Sequence, residues 1–219
     1  MTRWNRPSFV PGAAIVLSLL GSFTGCGWLD EAEDATTLRF PIEFDIPTAV
    51  TIPYPSSAEI SALPVVSGAE RRVLLPAIYP IPVDIEALDP TGKVAEYRDR
   101  IKGIEISAIT ANVTSNTFPV AVQPIEIRVG EPSDSFENAT IAATLPEVAA
   151  GATPSAQNAV IDASKRESVG NVLQSLTFRM GARTSILVPE GSPPEGGSVS
   201  MKLRVKLDIV ASLSSLAGL

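Results

Sequence analysis

The chain has 219 residues, 45% of them hydrophobic, with 17 Lys+Arg against 24 Asp+Glu, for a net charge of −7. That balance disfavours nucleic acid as a partner, because phosphates are held by Lys and Arg. It has no histidine and one cysteine, which removes Ser-His-Asp and Cys-His catalysis, histidine-ligated zinc and any internal disulfide.

The N-terminal 25 residues read as a separate element. "MTRWNR" carries Arg3 and Arg6 and no acid, "FVPGAAIVLSLLG" (9–21) is apolar and uncharged, and "SFTG" supplies small residues before Cys26. This is the layout of a secretory signal. As a helix the apolar run would reach about 20 Å, short of the roughly 30 Å hydrocarbon core. The two arginines are not adjacent, so the twin-arginine form is absent.

"FTGC" (23–26) resembles the lipobox of bacterial lipoproteins. Gly25 and Cys26 fit the pattern and Thr24 is accommodated, while Phe23 stands where leucine is usual. The resemblance implies a diacylglyceryl group on the Cys26 thiol, cleavage between Gly25 and Cys26, and acylation of the new amino terminus. It divides the chain into a signal peptide (1–25), a lipidated acidic tether (26–36) and a folded domain (37–219). Two or more acyl chains anchor stably where one holds only reversibly. Loss of Arg3 and Arg6 takes the net charge from −7 to −9. Gly27 occupies the position where, in this family, aspartate favours inner-membrane retention, so the resemblance implies the outer membrane. A lipid-bearing thiol also leaves none for redox work.

Asp30, Glu31, Glu33 and Asp34 form an acidic cluster in "GWLDEAEDATT" (27–37). A calcium loop needs six to eight spaced oxygens, with a turn glycine in its EF-hand form. The run fits a solvated tether better. Trp28 suits the headgroup level of a bilayer.

From residue 37 the period becomes two. In "TLRFPIEFDIPTAVTIPY" (37–54) Leu38, Phe40, Ile42, Phe44, Ile46, Val50, Ile52 and Tyr54 are even and Pro41, Pro47 and Pro53 are odd. Alternation predicts a strand with one buried face. Prolines of one parity put every missing N–H on one edge, which predicts an edge strand. "RRVLLPAIYPIPVDIEAL" (71–88) repeats the device, with Val73, Leu75, Ala77, Tyr79, Ile81, Val83 and Ile85 on one face and Pro76, Pro80 and Pro82 on the other parity. Two edge strands follow, one on each of two sheets.

"DPTGKVAEYRDRIKG" (89–103) spaces Val94, Tyr97 and Ile101 by three and four, which predicts a short helix with Gly103 at its end. Strands are predicted next at 103–117, with a bulge near Ile109 where the buried face switches, at 124–130 and at 139–146, the last two joined by the turn "EPSDSFEN". "VTSNTFPVAVQPIEIRVG" (113–130) faintly resembles the core of late-embryogenesis-abundant type 2 sandwich domains, with an asparagine ahead of a proline-bracketed step into a strand. That implies a sandwich and transfers no function, and the domain is assigned to no family. "NAVIDA" (158–163) is a short strand, and "SKRESVGNVLQSL" (164–176) a helix with Val169, Val172, Leu173 and Leu176 in one stripe and a capping box from Ser164 to Glu167. Strands at 176–189 and 197–211 flank a turn. The last has no proline and is predicted to lie inside a sheet.

The expected fold is therefore mainly β: an antiparallel two-sheet sandwich of about seven or eight strands with two short helices, an open sheet wrapped on a helix being second. No G-x-G-x-x-G, GxxxxGK[ST] or SxxK motif is present. Glu43 and Asp45 share a strand face, and Glu131, Asp134 and Glu137 share a turn. The first pair reads as solvated acids that aid solubility and the second group as a polar turn, ahead of catalytic or calcium-binding carboxylates. "NVT" (112–114) and "NAT" (138–140) match glycosylation acceptors, but the lipobox points to a bacterium.

The expectation is a non-enzymatic envelope lipoprotein that binds or assembles with another envelope protein, attached to the membrane by its lipid, without cofactor, metal site or catalytic residue. The alternatives are a carrier of an apolar ligand between the sheets and a carboxylate-based hydrolase.

Overall fold

A computed structural model describes residues 37–63, 71–188 and 196–213. The signal segment, Gly25, Cys26 and the acidic cluster at 30–34 lie outside the described residues.

The first alternating run forms β1 (Thr37–Asp45) and β2 (Val50–Pro53). Phe40, Ile42, Phe44, Ile46, Val50 and Ile52 are buried, and their odd-numbered neighbours from 39 to 53 are exposed. Both strands pair antiparallel with the same edge of β12 (Ser198–Ser212), β1 along residues 204–212 and β2 along 198–201. Ile46 still donates to the Leu203 carbonyl at 2.8 Å, and the chain steps away from Pro47 to residue 49. β5 (Ile101–Asn116) covers the other edge of β12. The predicted interior position of the proline-free strand and the edge position of the proline-bearing one are both observed.

The second sheet runs β4 (Ile78–Asp84), β10 (Thr177–Arg183), β6 (Ile125–Gly130), β7 (Thr140–Leu145) and β9 (Val160–Ile161). β4, with Pro80 and Pro82, is its edge, as the parity of the prolines requires. Beyond Thr184, β11 (Ser185–Val188) pairs with β3 (Arg71–Leu74), and Val122 bridges both Ile186 and Val148. The inward residues of the two sheets, among them Leu203, Val205, Ile127 and Phe178, form one core. The molecule is a mainly β, antiparallel two-sheet sandwich.

The described residues hold twelve strands, more than the seven or eight expected. Four of the eight predicted strand segments are each split in two, at 46–49, 75–77, 159 and 184. The split at residue 159 has a structural consequence. β8 (Gln157–Asn158) pairs with β5 in the first sheet, and β9 pairs with β7 in the second. The Ala159 N–H donates to the Ile109 carbonyl at 2.9 Å. Five residues thus cross from one sheet to the other and close a side of the sandwich. α4 (Arg166–Leu173) extends that closure, burying Val169 and Leu173.

β5 is longer than the β12 segment it pairs with. Its register slips by one residue at Lys102, Ser107 and Thr114. Each slip is a bulge that shifts which parity of β5 faces inward. The one at Ser107 carries the burial from Ile104 and Ile106 to Ile109, Ala111 and Val113, which is the predicted face switch.

Other expectations are corrected. Tyr79 does not share the buried face of Ile81 and Val83. A register slip in β4 between Ile81 and Ile78 turns it outward onto Gly181 and Phe136. The helix near residue 94 is α3 (Lys93–Tyr97), extended by a 3-10 turn at Arg98–Arg100, and Gly103 is a β5 residue opposite Val210 rather than a helix cap. Ser164 and Glu167 form no capping box. A 3-10 turn at Ala163–Lys165 precedes α4, and Asp162 caps it by accepting from the Ser164 N–H at 3.0 Å. A complete capping box closes α1 (Ser57–Ala62) instead, between Ser56 and Glu59. That helix and the single turn α2 (Ile85–Leu88) were not anticipated.

Candidate functional site

The outer face of the first sheet carries the outward row of β12: Lys202, Arg204, Lys206 and Asp208. Across the β1–β12 ladder Glu43 stands opposite Lys206, and Asp45 opposite Arg204. Arg204 holds Asp45 with two bonds, Nε to Oδ1 at 2.7 Å and Nη2 to Oδ2 at 3.2 Å, and its Nη1 lies 3.5 Å from Glu43. The Arg204 guanidinium draws the Asp45 carboxyl below its usual value, slight desolvation opposes it, and the Lys202 charge adds to the pull. The same bond raises the pKa of Arg204. β1 ends at Asp45, so Lys202 has no acid opposite it on that side. On β5 it faces Asn112, and Arg204 faces Thr110.

Where β1 stops, a groove of about 270 Å³ opens over these positions, lined by Asp45, Thr110, Asn112, Lys202 and Arg204 with Ser155 and Ala156 as its wall. The loop supplying the wall is fastened at several points. The Val113 N–H donates to the Pro154 carbonyl at 3.0 Å. The Asn116 side chain, 7% exposed, donates to the carbonyls of Ala149 (2.9 Å) and Ala152 (3.0 Å) and accepts from the Phe118 N–H (3.0 Å). Thr110 Oγ1 and Asn158 Oδ1 are 3.1 Å apart. Ala156 sits at φ 52°, a left-handed conformation costly for a residue with a Cβ. Among the described residues the side chains of Lys202, Asn112 and Ser155 make no hydrogen bond or ion pair.

Sequence reasoning placed β12's polar residues on the outer face. It did not identify the groove, whose lining comes from four separate stretches of chain.

Of the described acids singled out from the sequence, Glu43, Asp45, Asp134 and Glu137 are engaged in structure, while Glu131 contributes only backbone groups. Glu43 and Asp45 share one exposed face, as predicted, and both serve Arg204. In the turn after β6, Asp134 Oδ2 accepts from the Glu131 N–H at 2.8 Å, and Glu137 pairs with Arg183. That turn is locked onto the outer face of the second sheet. The guanidinium groups of Arg128 and Arg183 lie 5.1 and 4.8 Å from the Phe136 ring centroid, and the ring meets Tyr79 edge-on at 5.7 Å. Arg128 Nη1 donates to the carbonyls of Phe136, Glu137 and Ala139 at 3.0–3.3 Å. Among the described residues no group of three metal-ligating side chains converges, and no helix is long and apolar enough to cross a membrane.

No family model matches the chain, and no curated protein matches it. Among solved structures, the cryo-EM structure of mud crab tombus-like virus holds a similar chain, with 9% sequence identity, 95% of this chain and 93% of that one covered, and a TM-score of 0.39. At that score and identity the likeness carries no argument about function.

Proposed function

We propose that the protein is a bacterial envelope lipoprotein, anchored by acyl chains on Cys26, whose sandwich is a non-enzymatic binding or assembly module on the outer membrane. The observation that carries this reading is the order of "FTGC" after an uncharged apolar run and before an acidic stretch, with β structure beginning at Thr37, eleven residues past the cysteine. A tether of that length reaches at most about 40 Å when fully extended, so the body stays near the bilayer. The binding role is supported by the disposition of the candidate acids. Glu43, Asp45 and Glu137 are engaged by arginines and Asp134 closes a turn, which leaves these acids in structural roles.

Fractionation of cells producing wild-type and Cys26→Ser protein tests the anchor. Wild-type protein is expected in the detergent-soluble membrane fraction and the variant in the aqueous one; equal membrane retention would overturn the reading. Mild detergent extraction followed by sizing tests assembly: a defined complex is expected, and a lone monomer counts against a protein partner.

A further inference from the structure

We propose that the groove beside Lys202 binds a small ligand bearing a carboxylate next to hydroxyl groups, the chemistry shared by acidic sugars and hydroxy acids. The proposal deepens the reading of the sandwich as a binding module and names what one face of it takes.

The charge ladder on the outer face is the starting point. Two of the three outward bases of β12 have an acid directly across on β1, and the third, Lys202, has none because β1 ends one pair earlier. A strand that continued with an acid would have completed the pattern; here Pro47 comes next in the outward row, the chain leaves at residues 47–49, and the groove takes the vacated position. Lys202 therefore offers a compact positive charge with no hydrogen-bonded acid; Asp45 lies within its electrostatic reach but is held by Arg204. Facing it on β5 is Asn112, whose free amide both donates and accepts, and on the wall is the free Ser155 hydroxyl. With Asp45 neutralised by Arg204, the remaining cation, Lys202, flanked by amide and hydroxyl groups, matches one carboxylate flanked by hydroxyls.

Size and rigidity point the same way. About 270 Å³ lies just below the range of drug-sized sites, roughly 300 to 1,000 Å³, and so suits only a small ligand. No aromatic side chain lines the groove, so a neutral sugar ring has nothing to stack on, and charge must carry recognition. The wall is set in advance by the Asn116 and Pro154 bonds, and Ala156 is held in a strained conformation at the groove itself.

The test is an NMR titration of the isotopically labelled full chain in detergent with glucuronate, malate and glucose at matched ionic strength. Saturable shifts are expected at residues 110–112, 155–156 and 202–204 with glucuronate or malate below about 10 mM, a weak-ligand range. The preferred acid identifies the source. Lys202→Gln is expected to weaken binding about tenfold, equivalent to about 1.4 kcal/mol, and Asn112→Ala several-fold, with Lys206→Gln unchanged. Both groove residues are exposed, so their variants are expected to melt like the parent; Lys202→Arg, which keeps the charge, is expected to retain binding. No saturable shift with either acid, an equal response to glucose, or undiminished binding by Lys202→Gln would overturn the proposal. The titration reads the folded body, so it stands or fails independently of the state of Cys26, which the mass of the same sample reports.

Discussion

Replacing Asn116 with alanine removes the clamp that fastens the 149–152 loop to the end of β5. Three bonds vanish together: two donated to the Ala149 and Ala152 carbonyls and one accepted from the Phe118 N–H. Ala149 is exposed and water replaces the bond there, whereas the Phe118 N–H is enclosed and Ala152 is half-buried. Leaving a buried polar group unpaired costs about 1–3 kcal/mol, so the loss is about 2–3 kcal/mol. For a domain of this size each kcal/mol lowers Tm by about 2–4 °C, which gives a fall of roughly 5–10 °C by circular dichroism. Asn116→Asp sharpens the test. Its carboxylate still accepts from Phe118 but turns negative oxygen toward two carbonyls, so its pKa rises in the folded state. The folded state then favours the protonated form, and stability recovers as pH falls from 8 to 5. The alanine variant has no such pH dependence. An Asn116→Ala protein that melts within about 1 °C of wild type, or an Asn116→Asp protein whose deficit is flat with pH, would refute the clamp.

Leu203→Asp places a carboxylate at a position 1% exposed between the sheets; loss of the core contacts alone costs about 2–5 kcal/mol, so the variant is expected to be unfolded by circular dichroism, while Lys202→Glu on the outer face keeps its melting temperature. Asp89 accepts from the Val94 and Thr91 N–H groups, both at 2.8 Å, ahead of α3. Its burial alone would raise its pKa, but these bonds together outweigh it and hold the pKa below 3.8. A depressed carboxyl stabilises fully above its unfolded value and loses that contribution as pH falls through the folded one; Asp89→Ala is therefore expected to cost about 1–2 kcal/mol at pH 7 and progressively less below pH 3.8, measured by urea titration at both pH values. At Gly181 a Cβ would collide with the rings of Tyr79 and Phe136, so Gly181→Ala is expected to lose about 1–3 kcal/mol, with Phe136→Leu partly relieving it.

Strand identity was readable because one face of each strand is buried, and parity along 37–54 and 199–209 reports that face directly. Proline parity added the edge assignments, since a missing N–H is tolerated only where no strand pairs. The β5 bulge near Ile109 was visible as a shift in which parity was apolar. Tyr79 was misplaced because a bulge between two prolines changes parity without changing composition; its signal lies elsewhere, in Gly130 and Gly181, which make room for the ring on the outer face. The splits at 159 and 184 are tertiary: one segment is shared between two sheets, and the Thr184 hydroxyl bonds the Gln123 carbonyl at 2.6 Å where β10 gives way to β11. The groove was hidden for the same reason. Its charge depends on which acid stands opposite Lys202, a fact of register between strands more than 150 residues apart in the chain.

The central claim is that residue 26 is the mature, lipid-bearing terminus. Intact-mass spectrometry of protein isolated from native membranes measures it directly. The account predicts a chain beginning at Cys26 with the added mass of a diacylglyceryl group and an amide-linked acyl chain. A chain that keeps residues 1–25, starts at another position, or carries a free thiol at Cys26 would contradict it.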